Sequence, residues 1–147
     1  MPTRILIVDD HKSAIREIRT LLVANPEWEV CGEAVDGREA LAKASEMHPD
    51  VIVLDLAMPV MNGLRAAQEI TKVLPTVPIL LHTLYNSPQV ELEAKRHGIR
   101  KVVEKTHSGA LVSAIRELVD KRSPREDAPP PTVEIPLSQL QSHFDKP

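Results

Sequence analysis

The chain reads as an α/β protein built on a doubly wound, five-stranded parallel sheet with helices on both faces, and two observations predict this. First, short apolar runs alternate with stretches of helical periodicity: Ile5-Leu6-Ile7-Val8, Val51-Ile52-Val53-Leu54, Val77-Pro78-Ile79-Leu80-Leu81-His82 and Lys101-Val102-Val103-Glu104. Runs of this kind, rich in β-branched residues and bounded by polar breaks, read as strands buried on both faces. Strands that alternate with helices imply parallel pairing through right-handed crossovers. Second, the runs end in chemically capable residues. Asp9 and Asp10 follow the first, Asp55 the third strand's run, Thr83 the fourth and Lys105 the fifth. Open α/β sheets bind their ligands at that carboxyl edge.

The elements follow in order. A first helix over about 12 to 24 carries Ile15, Ile18, Leu21 and Leu22 at helical spacing and stops before Pro26. A second strand, about 29 to 35, leads through the turn Asp36-Gly37 into a helix with Ala40, Leu41, Ala44 and Met47 inward, closed by His48-Pro49. Gly63 opens the third helix, whose inner face is Leu64, Ala67, Ile70 and Leu74. The fourth, about 87 to 97, is the least amphipathic, and Gly98 is suited to end it. The fifth, about 108 to 122, turns Leu111, Ile115, Leu118 and Val119 inward.

At Ser123 the composition changes. Six of the last 25 residues are proline, including Pro129-Pro130-Pro131, which divides the chain into a domain over 1–122 and a proline-rich tail over 123–147 that is expected to be disordered. Leu137, Leu140 and Phe144 fall at helical spacing within that tail and offer a docking segment as the alternative. The 147 residues suit one well-buried core, and a net charge of −3 without a Lys/Arg block argues against nucleic-acid binding. No run approaches the length of a membrane span and the N-terminus enters a strand at once, so no membrane segment or signal peptide is expected and the protein is placed in the cytoplasm. The single cysteine, Cys31, is expected in the core. Trp28 is expected over the end of the first helix, Met58 and Met61 in packing roles, and all six histidines at the surface or in caps, since none has metal-ligand spacing.

Three carboxylates projecting from adjacent strand ends define the chemistry. At a spacing of roughly 5 Å and an effective dielectric of about 20, each pair repels by on the order of 3 kcal/mol. An oxygen-seeking cation relieves this, and a site with few protein ligands and room for water suits Mg²⁺. The Thr83 hydroxyl can hydrogen-bond a phosphoryl oxygen. Lys105 can pair with an acid at rest and with a phosphate on arrival. The competing reading of each acid is a loop residue that caps the following helix.

In the ordered set "RILIVDD", "VIVLDLAMPVMNG", "LLHTL" and "VVEKT", covering about residues 3 to 122, the chain resembles the receiver domain of two-component response regulators. The resemblance implies the strand order 2-1-3-4-5 and a phosphoryl group accepted on Asp55 from a histidine kinase or phosphotransfer protein. It implies that Asp10 ligates Mg²⁺ directly, Asp9 largely through water, and Ala57 through its backbone carbonyl, with Thr83 and Lys105 contacting the transferred group. A downstream protein partner and a homodimer on activation are implied as well. On this reading the chain is a self-catalysed phosphoacceptor rather than an enzyme.

The sequence departs from the family pattern at three points. Val102 stands where these domains carry a switching Tyr or Phe, Thr106 replaces the common proline after the lysine, and Leu84 follows Thr83 where a small residue is frequent. Tyr85, two residues past Thr83, is expected to border the phosphoryl group; either its ring overlies the acyl phosphate and slows water attack, or it lies on the surface. Two other functions compete. "VDDH", "VDGREAL" and "MPVMNG" are especially similar to receivers that precede a helix-turn-helix module. The residues after 122 are too few to hold that module, so the chain is expected to be a single-domain regulator or the receiver part of a truncated DNA-binding transcriptional regulator. An aspartyl-phosphate phosphatase of the haloacid-dehalogenase type would carry D-x-D after the first strand, whereas the candidate nucleophile here follows the third.

Overall fold

A computed structural model of the chain describes residues 2–58, 60–106 and 108–120. The elements alternate without exception among these: β1 (Thr3–Val8), α1 (Lys12–Val23), β2 (Trp28–Ala34), α2 (Gly37–Met47), β3 (Val51–Asp55), α3 (Gly63–Val73), β4 (Ile79–Thr83), α4 (Pro88–Arg96), β5 (Lys101–Glu104) and α5 (Ser108–Asp120). The five strands form one parallel sheet in the order β2-β1-β3-β4-β5. The doubly wound expectation and its strand order therefore stand. The proline-rich tail from 123, the two residues expected at the end of the fifth helix, His107 and His143 lie outside the described residues.

The two-faced burial that the apolar runs predict divides by strand parity. Leu6, Val8, Ile52, Leu54, Ile79 and Leu81 pack on one face against Ala40 and Ala44 of α2, Ala66, Ala67 and Ile70 of α3, and Ala94 of α4. Ile5, Ile7, Val51, Val53 and Leu80 pack on the other against Ile15, Ile18 and Leu22 of α1 and Leu111, Ala114 and Ile115 of α5. Successive strand residues point to opposite faces, so runs without polar interruption are required when both faces are covered. Trp28 joins the second cluster and lies 5.1 Å from the Arg116 guanidinium, bridging the start of β2 to α5.

Local chemistry sets the helix ends. Asp36, Asn62 and Ser87 each accept a backbone N–H from the first turn of α2, α3 and α4, and Glu39 reaches back to the N–H of Val35. His48 ends α2 in the left-handed region, and Gly98, at φ +87, follows α4 against Thr71, where a side chain would be strained and crowded. Asp50, a buried acid away from the carboxyl edge, sits at the opposite end of the sheet and accepts the N–H of Arg4 at 2.8 Å, a structural role.

Three expectations change. Cys31 is half-buried rather than fully in the core, because the β1–β2 register passes from Ile5↔Val30 to Leu6↔Gly32 and leaves Cys31 as the extra residue of a bulge. Burial still pushes its thiol pKa up. Leu64 and Leu74 border the core of α3 while the smaller Ala66 takes the buried place. His82 is buried, not superficial.

Gly63 couples the fold to the sheet edge. A Cβ there would overlap the carbonyl oxygen of Asp55 and come within 2.9 Å of Leu56 Cα, while the Gly63 N–H donates to Leu56 O at 2.8 Å. Backbone atoms cannot swing aside, so α3 and the end of β3 approach closely only without a side chain. Gly63→Ala is expected to destabilise the domain by about 1–3 kcal/mol, read as a lower urea midpoint. An unchanged midpoint would show that the loop absorbs the methyl group.

Candidate functional site

The carboxyl edge of the sheet gathers the predicted acids, hydroxyl and amine. Asp9 and Asp10 follow β1, Asp55 ends β3, Thr83 ends β4 and Lys105 follows β5, its N–H donating to Thr83 O at 2.7 Å. Asp9, Asp55 and Thr83 are buried, and Asp10 is partly exposed. Lys105 Nζ lies 2.8 Å from Asp9 Oδ2 and 3.1 Å from Asp55 Oδ1. The other oxygen of Asp9 accepts the His11 N–H at 2.9 Å. That bond holds the turn before α1 and is not a helix cap, since His11 is itself the N-cap residue; Asp9 combines it with the lysine pair.

Asp10 differs from Asp9. Its Oδ1 is buried with no hydrogen-bond partner, although His11 Nδ1 is 3.0 Å away. An unsatisfied carboxylate oxygen beside two other acids is the position a cation would fill. One donor atom from each of Asp9, Asp10, His11 and Asp55 lies within 4.8 Å of the others. The acids thus suit a small divalent cation, with Asp10 and Asp55 presenting oxygen least committed to the protein. Ala57 lies exposed in the loop two residues beyond Asp55. That loop also holds Val60 at φ 70, a strained value for a β-branched residue.

The charges are unbalanced, with three carboxylates facing one ammonium. Burial raises the Asp55 pKa and the Asp9 charge raises it further, against the opposing pull of Lys105. Burial alone would lower the Lys105 pKa, but its hydrogen bond to Asp9 and the charge of Asp55 outweigh that and raise it. Asp55 is accordingly a partly desolvated, more basic carboxylate, which is the condition of a better nucleophile.

Thr83 and Tyr85 form a small turn. The Thr83 hydroxyl accepts the Tyr85 N–H at 3.3 Å and donates to Tyr85 O at 3.4 Å, both long and readily exchanged. The Tyr85 ring is 80% exposed, so its backbone alone meets Thr83. Val102 is half-buried against the α2–α3–α4 core cluster, leaving no aromatic there to change position. Leu84 is exposed, and no described peptide bond is cis.

His82 was not anticipated at the site. It pairs in register with Asp55, is buried, and its Nδ1 has no partner. Burial, reinforced by the Lys105 charge, lowers its pKa to about 4. The signal was present in the sequence: His82 shares the parity of Leu80, and both faces of β4 are covered.

These features define a doubly wound α/β domain with an acid pocket, a hydroxyl and a lysine at the carboxyl edge. The response regulator receiver domain family model matches residues 5–116, and the chain belongs to that family. A protein-glutamate methylesterase/protein-glutamine glutaminase of Methanosarcina acetivorans is 40% identical over 80% of this chain and 34% of its own length. The response regulator protein VraR of Staphylococcus aureus is 35% identical over 80% of this chain and 56% of its own. The response regulator domain of Thermotoga maritima CheB superposes with a TM-score of 0.77 at 29% identity, over 82% of this chain and 98% of that one. The chain thus spans about a third to somewhat over half of the curated relatives it matches. Among the described residues no helix is long and apolar enough to cross a membrane.

The buried imidazole sets a pH dependence. A group whose folded pKa of about 4 lies below the ordinary 6.5 contributes stability that is present above 6.5 and lost as pH falls toward 4. Asp55 is shifted upward and acts oppositely, its contribution present in acid and lost as pH rises. In chelator, the unfolding free energy of wild type from urea titration should fall more steeply across that window than that of His82→Leu, by on the order of 2 kcal/mol when discounted for solvent reaching the ring. Parallel curves would show that His82 takes up its proton without unfolding cost.

Proposed function

We propose that this receiver accepts a phosphoryl group on Asp55 from a histidine kinase or phosphotransfer protein, in the cytoplasm, with Mg²⁺ held by Asp10, Asp55 and the Ala57 carbonyl and by Asp9 through water. The observation that carries the reading is the buried, basic Asp55 carboxylate held 3.1 Å from Lys105 beside an unpartnered Asp10 oxygen. When bound, Mg²⁺ supplies positive charge against the phosphoryl oxygens and the acid cluster. The chain's own residues do the rest. An Asp55 oxygen attacks phosphorus in line, forming the acyl phosphate as the phosphorus–nitrogen bond of the donor histidine breaks. Lys105 exchanges its contact with Asp55 for a phosphoryl oxygen while keeping Asp9. Thr83 releases its two long contacts with the Tyr85 backbone and donates its hydroxyl to the new group. The displaced Tyr85 segment then carries the change outward, since a switch needs contacts that differ between its states.

With Val102 in place of an aromatic, the output of this receiver runs through the β4–α4 segment rather than through a ring turning inward. The methylesterase relatives are named for an enzymatic activity, and all the curated relatives cited above extend beyond the matched region. Control of an output module, catalytic or DNA-binding, or of a separate protein are both compatible with the same phosphorylation step, as is pairing of two receivers. An aspartyl-phosphate phosphatase acting on outside substrates is the weaker reading, because Asp55 lacks a second acid two residues on: Ala57 stands there.

A small phosphodonor such as acetyl phosphate should add one phosphoryl group to the wild-type protein and none to Asp55→Asn, as read by intact mass. Full labelling of the variant would refute the assignment of Asp55. Tyr85, free in solvent at rest, can swing over the acyl phosphate and exclude water. Tyr85→Ala should then lose its phosphoryl group several-fold faster than wild type while labelling normally. A rate within twofold would assign Tyr85 to the surface alone.

A further inference from the structure

The outer edge of β5, the last strand of the sheet beyond β4, opens between α4 and α5. Two hollows of about 490 and 550 Å³ meet there and share Lys101 and Val102 in their linings. The first is bounded by Leu92, Ala94 and Ile99, the second by Ala110 and Ala114. Leu92 is 51% exposed, and Val102, common to both, is too small to fill either. Together they form one trough with an apolar floor. A continuous concave apolar surface, unlike a single exposed leucine, marks a place where another segment packs. The rim on the α4 side carries Lys95, Arg100 and Lys101 against the single acid Glu91, so it is net positive in a chain of net charge −3. Lys101 is paired with Glu117 at 3.0 Å, whereas Lys95 and Arg100 have no carboxylate partner among the described residues.

The chain itself carries an occupant of matching chemistry. Leu137, Leu140 and Phe144 stand at i, i+3 and i+7, the spacing of helix anchors that enter an apolar groove, and Phe144 is the chain's only phenylalanine. Glu134 and Asp145 flank these anchors with only Lys146 opposing them, which complements the Lys95 and Arg100 rim. Reach is sufficient as well. α5 ends at Asp120, and Glu117 in its last turn already lines the trough. As a coil, the chain from Asp120 to Leu137 spans roughly 20–25 Å, and Pro129-Pro130-Pro131 lengthens it. α5 itself is about 20 Å long, so the tether can return to any point along the groove. We propose that the segment 137–144 seats Leu137, Leu140 and Phe144 in the trough between α4 and α5 of its own domain. Tethering makes the contact intramolecular, at an effective concentration on the order of millimolar, so weak packing suffices. The seated segment covers the α4–β5 face, and an outside protein must displace it to bind there. No step of this involves Asp55, so the proposal stands apart from the phosphorylation reading.

The test compares amide NMR spectra of the full chain as wild type, as the double variant Leu140→Asp/Phe144→Asp, and as Leu92→Glu. Leu92 is exposed on α4, so its variant should keep the fold, which circular dichroism checks. The tail variant should shift the amides of Leu92, Val102, Ala110 and Ala114 and leave those of β1 and β3 in place. Hydrogen exchange at residues 101–104 should quicken several-fold in the same variant, because a covering segment is lost. Reciprocally, Leu92→Glu should shift the amides of 137–144. Wild-type spectra that stay the same on tenfold dilution would place the segment on its own domain. Groove resonances that move on dilution would put a second copy there and overturn the proposal. Shifts confined to another surface, or a groove and a segment each indifferent to substitution in the other, would overturn it too.

Discussion

Three carboxylates gathered at one buried edge against a single lysine are the constraint around which this domain is organised. Asp9 and Asp55 are almost wholly removed from water, and Lys105 bridges them at 2.8 and 3.1 Å. One ammonium cannot offset three acids, and burial strengthens the repulsion that is left. The result is a pocket of excess negative charge, a desolvated Asp55 and an Asp10 oxygen without a partner. Each of these is unfavourable in the isolated fold. Each also becomes favourable when a cation and a phosphoryl group arrive, so local instability and chemical capability have one origin.

The rest of the fold holds that arrangement in place. β1 and β3 are adjacent in the sheet, so Asp9, Asp10 and Asp55 are brought together by strand order and not by loop conformation. Core clusters on both faces fix the strands, and a parallel register aligns their carboxyl ends. At the edge itself, Gly63 lets α3 press on the backbone of Asp55, and the Lys105 N–H continues the β4–β5 pairing at Thr83. Just outside lie the weakly held Thr83 hydroxyl, the exposed Tyr85 and Leu84, and the strained turn at Val60.

Much of this was legible in the sequence because period and position carry it. Unbroken apolar runs gave the doubly buried strands, and the residues directly after them gave the acids, Thr83 and Lys105. What escaped depends on register and on space. Cys31 is half-exposed because the pairing of β1 and β2 slips by one residue, which no local pattern announces. The burial of His82 followed from strand parity but was masked by the usual preference of histidine for the surface. The approach of the His11 ring to Asp9 and Asp10 depends on the turn after β1, which no spacing in the sequence gives. Gly63 was visible as a helix start, while the backbone it must accommodate was not.

The central claim is that the acid cluster destabilises the resting fold and that a divalent cation relieves it through Asp10. Thermal melting of wild type and Asp10→Asn, each with chelator and with saturating Mg²⁺, tests it most directly. Removing one charge should make the variant melt above wild type in chelator. Mg²⁺ should raise the wild-type melting temperature, since an ion that binds only the folded site stabilises it by mass action, and should do little for the variant. A variant that melts no higher than wild type in chelator, or that keeps the full Mg²⁺ response, would contradict the claim.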